Sequence, residues 1–272
     1  MEYDPIKRSL GRVFNQTPFL RKVFYGLLDL LLLRAWHVHK ELRNFSGWKK
    51  KDLKVLDGGA GFGQYTYWMN KKNPTWEITA IDVKEEQVAD CNRFFEEIGR
   101  GENVTFQVGD LTQYIQPLTY DLVVCVDVME HIEDDVQVFQ NYYTSMKAEA
   151  MLLISTPSDQ GGSGIDEHSE GEVKGFIDEH ARDGYNIQEI EDKIRSVGFT
   201  KVDARYQYGT PGKIAWKLSM YYPMRALNAS KLFFILLPFY FLITYPISFI
   251  LNWMDVSMSH KTGTGLVVKA WK

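Results

Sequence analysis

The sequence predicts an α/β fold in which a parallel β-sheet is covered by helices on both faces. Three observations indicate this fold. Apolar runs of strand length alternate with helical patterns over residues 54–208. The first strand leads into a loop with four glycines in six residues, and each of the first four strands ends in an aspartate. Because ligands bind at the carboxyl ends of the strands in an open α/β sheet, these aspartates predict a site at that edge.

Charge is distributed unevenly along the 272 residues, whose 45% apolar content is typical of a folded globular chain. Residues 1–54 contain 12 Lys and Arg against 5 Asp and Glu, residues 55–204 contain 11 against 29, and residues 205–272 contain 8 against 1. Basic flanks of this kind suit an anionic membrane surface or nucleic acid. The two cysteines, Cys91 and Cys125, predict no disulfide framework. The start of the sequence lacks the basic region of a secretory signal, so we expect a cytoplasmic protein.

A broad apolar helix is predicted at residues 18–45, beginning at Pro18 after Thr17. Its apolar positions follow the i, i+3, i+4 pattern of one helix face, and a run of leucines widens that face. Two interpretations remain open, in which the helix either packs against the domain or lies on lipid. His37 and His39 near its end are expected to be surface residues.

The glycine loop at residues 58–63 separates the first strand from a helix predicted at residues 64–72. A dinucleotide fingerprint would need glycine where the chain has Gln64, and the phosphate-binding G-x-x-x-x-G-K-[ST] pattern is absent. The remaining pattern, apolar-apolar-Asp-x-Gly-x-Gly-x-Gly, resembles the first motif of the class I S-adenosylmethionine (SAM) methyltransferases. Glycines at these positions allow the backbone to approach a ligand closely. They are Gly58, Gly59, Gly61 and Gly63.

The resemblance implies roles for the acidic strand ends. Asp57 and the glycine loop are expected to face the methionine part of SAM, and Asp82 is expected to hold the ribose hydroxyls. Adenine is expected to contact Asp110 and the backbone of Leu111. Helix capping could explain any one of the aspartates, but four in register with a glycine loop favour a ligand site. The predicted cofactor contacts are completed by Val83 and Asp127.

The segment DVMEHIEDD follows the fourth strand and contains Asp127, Glu130 and His131. It resembles the acid-x-x-Glu-His segment of the quinone-biosynthesis O-methyltransferases, which implies a divalent cation such as Mg²⁺ held by these three residues. Alternatively, His131 could be the base that deprotonates an acceptor hydroxyl, with Glu130 as a second catalytic candidate, or it could line the substrate pocket. The Asn/Asp-Pro-Pro-Tyr/Phe motif of methyltransferases for nucleobase or amide nitrogen is absent here. Together with the acidic body, this absence predicts no nucleic-acid partner.

Residues 158–175 are rich in glycine and acidic residues and are expected to form a lid over the site. His180 follows this loop and is the third catalytic candidate, because its side chain could touch the substrate. An amphipathic helix is predicted at residues 186–197 and a sixth strand at residues 199–208. The seventh strand is predicted at residues 265–271, after a long insertion.

The insertion contains the longest apolar run of the chain, twenty residues without a charge at residues 232–251. Aromatic and basic residues, among them Trp216 and Lys213, precede this run in a composition typical of a membrane interface. A buried helical cap or a homodimer interface is the alternative. Pro238 and Pro246 are expected to break or kink the helix, which would suit a monotopic segment resting in one leaflet.

Together the residues and the resemblance predict a Rossmann-like seven-stranded α/β domain with an N-terminal helical arm and a hydrophobic helical insertion before the last strand. The expected units are the arm (1–46), the SAM-binding domain (47–210), the insertion (211–261) and the last strand (262–272). The expected activity is O-methylation of a hydrophobic or lipid-linked acceptor by SAM at the cytoplasmic face of a membrane. The alternatives are methylation of a soluble small molecule and a SAM-binding assembly factor without transferase activity.

Overall fold

The computed structural model describes residues 17–161, 181–230 and 232–272. Its strands are β1 (Lys54–Gly58), β2 (Glu77–Asp82), β3 (Val104–Val108), β4 (Tyr120–Val126), β5 (Met146–Pro157), β6 (Lys201–Gln207) and β7 (Gly265–Trp271). These seven strands form one sheet in the order β3-β2-β1-β4-β5-β7-β6. All neighbours are parallel except at β7, which runs antiparallel to β5 and β6. The seven-stranded α/β prediction is confirmed, but the sheet is mixed because the last strand returns in the opposite direction.

Helices cover both faces of the sheet and create two apolar cores. The described residues form α1 (Pro18–Leu31), α2 (Leu33–Asn44), α3 (Gln64–Lys72), α4 (Glu85–Glu97), α5 (Asp135–Ser145), α6 (Ile187–Ser196), α7 (Thr210–Trp216), α8 (Tyr222–Ala229) and α9 (Phe233–Ser257). One core includes Leu42, Met69 and Phe95 from α2, α3 and α4. The other includes Phe139 and Ile194 from α5 and α6. The periodic apolar positions of these helices therefore pack against the sheet, as their sequence patterns predict.

The predicted N-terminal helix is divided at Leu32, whose extended backbone (φ −87°, ψ 111°) separates α1 from α2. Contrary to expectation, His37 and His39 of α2 are buried. His39 stacks on Trp68 with ring centroids 3.8 Å apart, and its burial lowers its pKa to about 3. Sequence periodicity missed this burial because α2 is covered on more than one side, by α3 and by α9.

The described residues of the insertion before β7 are mostly helical, and its last helix is the 25-residue α9. Pro238 and Pro246 lie inside the continuous helix α9, so the break expected at these prolines does not occur. A proline removes one backbone donor, but α9 keeps its other hydrogen bonds and packs along α7. The hydroxyl of Tyr240 also donates to the carbonyl of Leu218 at 2.7 Å.

Asp255 ties the end of α9 to the start of the insertion. Its buried carboxylate accepts backbone hydrogen bonds from Tyr208 at 3.2 Å and from Gly212 at 2.9 Å, and it pairs with His37 Nε2 at 2.8 Å. Burial alone would raise the pKa of Asp255. The hydrogen bond with His37 and the other partners of the carboxylate outweigh this effect, so its pKa is lowered. Burial lowers the pKa of His37 despite the same contact. The two ends of the insertion therefore meet at one place on the domain.

Candidate functional site

The glycine loop lies between β1 and α3 at the carboxyl edge of the sheet. Gly59 has φ +78°, and a Cβ there would lie 2.2 Å from a methyl carbon of Val128. Gly61 has φ +53°, and its backbone N–H donates to Asp82 Oδ2 at 2.8 Å. Positive φ values exclude most other residues, so the glycine pattern is a backbone requirement of this loop. The loop and the end of β2 are thus joined by a direct hydrogen bond.

The side chain of Asp57, near the end of β1, is buried beneath the loop. Its Oδ2 accepts a 2.5 Å hydrogen bond from the hydroxyl of Thr66 on α3. Burial raises the pKa of Asp57 to about 6, because the charged form loses its hydration. A cationic ligand in the cleft would favour the ionised form of this carboxyl.

The predicted nucleoside contacts lie in the turns after β2 and β3. The second oxygen of Asp82 accepts from the backbone of Lys84 at 2.9 Å, and the adjacent Val83 is 56% exposed. β3 ends at Val108, so Asp110 lies in the following turn, where its Oδ1 accepts from Thr112. Leu111 is buried, and its carbonyl accepts from Asn141 Nδ2 at 2.8 Å. The structure therefore places all four predicted residues at the same edge as the glycine loop, although Asp110 also caps its own turn.

Asp127 follows β4 with φ +52° and forms an ion pair with Arg34 of α2. The backbone N–H of Arg34 donates to the hydroxyl of Tyr208 at 2.9 Å. Burial raises the pKa of Tyr65, against the opposing effect of the neighbouring Arg34 charge. Residues of α2, α3, β4 and the end of β6 thus meet beside the glycine loop. Sequence analysis did not identify Arg34, since nothing in a leucine-rich helix marks one arginine as a partner of a residue 93 positions later.

Glu130 and His131 occupy a single 3₁₀ turn, Met129–His131, but have different environments. Glu130 is buried, and it accepts a 3.0 Å hydrogen bond from Thr156 Oγ1, while its backbone carbonyl accepts from Ala181 at 2.9 Å. Burial raises the pKa of the Glu130 carboxyl. His131 is exposed. The position of Glu130 favours a role in holding the turn against β5, whereas the His131 side chain is exposed at the surface.

The magnesium interpretation of Asp127, Glu130 and His131 is not supported. No group of three His, Cys, Asp or Glu side chains arranged to hold a metal ion occurs in residues 17–161, 181–230 and 232–272. The physical reason is that Asp127 is paired with Arg34 and Glu130 is turned into the core toward Thr156. His180, the third catalytic candidate, and most of the predicted lid lie outside the described residues.

A polar face of α1 also contacts the glycine loop, and it was not identified from the sequence. Arg21 Nη2 donates to the carbonyl of Phe62 at 3.0 Å, and Tyr25 donates to the same carbonyl. Asp29 Oδ1 accepts from Gln64 Nε2 at 2.8 Å, and burial raises the pKa of Asp29 to about 6. The available signal was the spacing of Arg21, Tyr25 and Asp29, since residues four apart share one helix face.

The family described as a methyltransferase domain matches residues 49–200, more than half of the chain. The chain belongs to the class I SAM-dependent methyltransferases. The match covers the glycine loop, the acidic strand ends and the turn with His131. It leaves out α9 and β7.

Both N- and O-methyltransferases are similar to the chain. A phosphoethanolamine N-methyltransferase of Triticum aestivum is 27% identical over 73% of this chain and 34% of its own length. A ubiquinone biosynthesis O-methyltransferase of Rickettsia felis is 27% identical over 38% of this chain and 41% of its own length. The chain thus spans less than half the length of either relative.

Solved structures agree on the fold. A Haemonchus contortus phosphoethanolamine N-methyltransferase 2 in complex with SAM has a TM-score of 0.63 at 17% identity, covering 97% of this chain and 59% of that one. The [4+2]-cyclase SpnF has a TM-score of 0.59 at 14% identity, covering 88% and 81%. At these identities the likeness extends to the fold alone, and substrates must be argued from the residues of this chain.

Proposed function

We propose that this chain binds SAM and transfers its methyl group to a hydroxyl of a hydrophobic or lipid-linked acceptor at a membrane surface. The observation that carries the cofactor assignment is the hydrogen bond from the Gly61 amide to Asp82, above the buried carboxyl of Asp57. In this proposal Asp57 faces the sulfonium end and Asp82 accepts from the ribose. Val83, an exposed apolar side chain next to Asp82, would pack against adenine.

The proposed acceptor site lies beside Asp127, where α2, α3 and β6 approach the loop. SAM supplies an activated methyl group, and the acceptor oxygen takes that methyl while the carbon–sulfur bond breaks. His131 would accept the acceptor's proton as the new bond forms, because it is the exposed titratable side chain of the turn. The Arg34–Asp127 ion pair would fix the wall of the site and orient the acceptor.

Helix α9 carries the membrane part of the proposal. It is the one helix in the described part of the chain that is long and apolar enough to cross a membrane. A core helix would be mostly buried, whereas Phe239, Leu242 and Ile243 are between 67% and 76% exposed. Exposed Lys213, Lys217 and Arg225 lie on the preceding helices, which suits an anionic surface. Because Asp255 and Gly212 join the ends of the insertion, we favour a monotopic contact in one leaflet.

Asp82→Ala should weaken SAM binding by about 10- to 150-fold, because hydrogen bonds to a charged group contribute about 1.5 to 3 kcal/mol. Isothermal titration calorimetry with SAM and with S-adenosylhomocysteine measures the effect. Asp192→Ala, which removes an exposed carboxylate on α6, is the matched control. Unchanged affinity in Asp82→Ala would remove Asp82 from the cofactor site.

SAM affinity should rise with pH between about pH 5 and pH 7, because the pKa of Asp57 is raised to about 6. Below this value the carboxyl is protonated and cannot favour the sulfonium cation, so affinity at pH 5 should be about tenfold lower than at pH 7. Above the pKa the affinity should level off. Calorimetry in buffers of different ionisation enthalpy would also detect proton release on binding.

Asp57→Asn should weaken SAM binding and flatten this pH dependence. Because the pKa of Asp29 is also raised to about 6, Asp29→Asn is the necessary control and should keep the dependence. S-adenosylhomocysteine, which lacks the sulfonium charge, should show a shallower dependence than SAM. A pH dependence that persists in Asp57→Asn and disappears in Asp29→Asn would reassign the titration to Asp29.

A further inference from the structure

Helix α1 has an exposed apolar face opposite the polar face that contacts the glycine loop. Phe19, Val23, Leu27 and Leu30 are between 40% and 72% exposed, although their side chains are large and apolar. Their spacings of four, four and three residues place them within one arc of the helix. Gly26 borders this arc, is exposed, and has no neighbouring atom within 4 Å of where a Cβ would be. We call these five residues the α1 stripe.

The α1 stripe is continuous with the apolar surface of α9. Trp36 of α2 donates from Nε1 to the carbonyl of Leu30 at 3.1 Å. The same indole packs edge-to-face on Phe249 of α9 with ring centroids 4.9 Å apart. Trp36 therefore joins the two helices at a point where both expose apolar side chains. Tryptophan, like tyrosine, is enriched at membrane–water interfaces.

We infer that the α1 stripe is a second lipid-contacting surface, so that α1 lies between the bilayer and the cofactor loop. The occupant is a lipid surface because the stripe continues the apolar face of α9 and is flanked by exposed Lys22. This inference rests on the proposed membrane location of α9 but assigns a separate helix to the interface. It also sets the orientation of the enzyme, because the opposite face of α1 holds the loop through Arg21 and Asp29.

Gly26 allows a test in which no existing side chain is removed. Leucine and aspartate both have higher helix propensity than glycine, so neither substitution should weaken α1. Gly26→Leu should bind vesicles of phosphatidylcholine and phosphatidylglycerol about 10- to 150-fold more tightly than Gly26→Asp, because a buried leucine contributes about 1.5 to 3 kcal/mol. Vesicle flotation of the full chain measures the difference. The matched pair Val136→Leu and Val136→Asp on α5, away from α1 and α9, should differ little.

A labelled cysteine reports the same contact directly. Both native cysteines are buried, so Gly26→Cys can be labelled selectively with an environment-sensitive fluorophore. Brominated lipids should quench this label and leave a label at Val136→Cys unquenched. Wild-type binding to vesicles with equal binding of the two Gly26 variants and no quenching would overturn the α1 inference while leaving the membrane role of α9 intact. If the wild-type protein did not bind vesicles at all, the membrane part of the proposed function would fail first.

A second copy of the chain is the other occupant that the test distinguishes. If it covered the stripe, Gly26→Asp would lower the molecular mass measured by analytical ultracentrifugation without lipid, and the label would be shielded before vesicles are added. That result would overturn the lipid assignment.

Discussion

Replacing His131 with alanine should lower turnover by about 10² to 10⁴, the usual contribution of a positioned general base. SAM affinity should change little, because His131 lies in the turn after β4 and is not among the predicted cofactor contacts. Single-turnover kinetics with saturating SAM and a phenolic acceptor panel would separate the chemical step from binding.

Glu133→Ala is the matched control for His131→Ala, since Glu133 is an exposed residue two positions away. Its turnover should remain close to that of the wild-type protein. Chelator should have no effect on either protein, because Asp127 and Glu130 are occupied by Arg34 and Thr156. A His131→Ala protein with full activity would exclude the base role. Loss of wild-type activity with chelator and its recovery with added Mg²⁺ would instead restore the metal interpretation.

Placing aspartate at Phe239, Leu242 and Ile243 together should abolish membrane binding. Each large apolar side chain contributes about 1.5 to 3 kcal/mol when buried, so three of them amount to at least about 1000-fold in partitioning. High salt should not remove the wild-type protein from vesicles, because each basic residue near an anionic surface contributes only about 1 kcal/mol. Detergent should release it. Vesicle flotation at low and high salt measures both effects.

The three substituted side chains are all highly exposed, so the variant should keep its fold and its SAM affinity. Val136→Asp is the control for a single exposed apolar residue on another helix. If the wild-type protein floated no better than the triple variant but formed a dimer that the variant lost, α9 would be a subunit interface. If both remained monomeric without vesicle binding, α9 would have to act as a cap over a soluble substrate.

The glycine loop shows why part of the site could be predicted from the sequence. Gly59 and Gly61 adopt positive φ, and only a residue without a Cβ does so at little cost, so the local backbone leaves a visible pattern. Asp57 lies one residue before the end of β1 and Asp82 ends the neighbouring parallel strand β2, and the topology brings such strand ends together at one edge. The antiparallel direction of β7 could not be predicted from the sequence, because the apolar pattern of a seven-residue strand is the same for a parallel and an antiparallel neighbour.

The contacts beyond the loop depended on elements that are distant in sequence. The metal interpretation came from the resemblance of the segment with Asp127, Glu130 and His131 to the quinone-biosynthesis O-methyltransferases, and it required all three side chains to face one point. In the structure the Glu130 side chain is buried in the core, and the Asp127 side chain forms an ion pair with Arg34. Likewise, the two prolines of α9 were expected to break or kink it, but the helix continues through both of them and packs along α7.

By itself, the sequence determined the α/β class, the glycine loop, the acidic strand ends and the apolar character of the insertion, because these follow from local periodicity and backbone geometry. Only the tertiary structure decided that Arg21 and Asp29 of α1 hold the loop, that Arg34 pairs with Asp127, and that Asp255 closes the insertion. These contacts join residues 35 to 93 positions apart in the chain. Their partners are selected by how helices pack on the sheet, which no short stretch of sequence encodes.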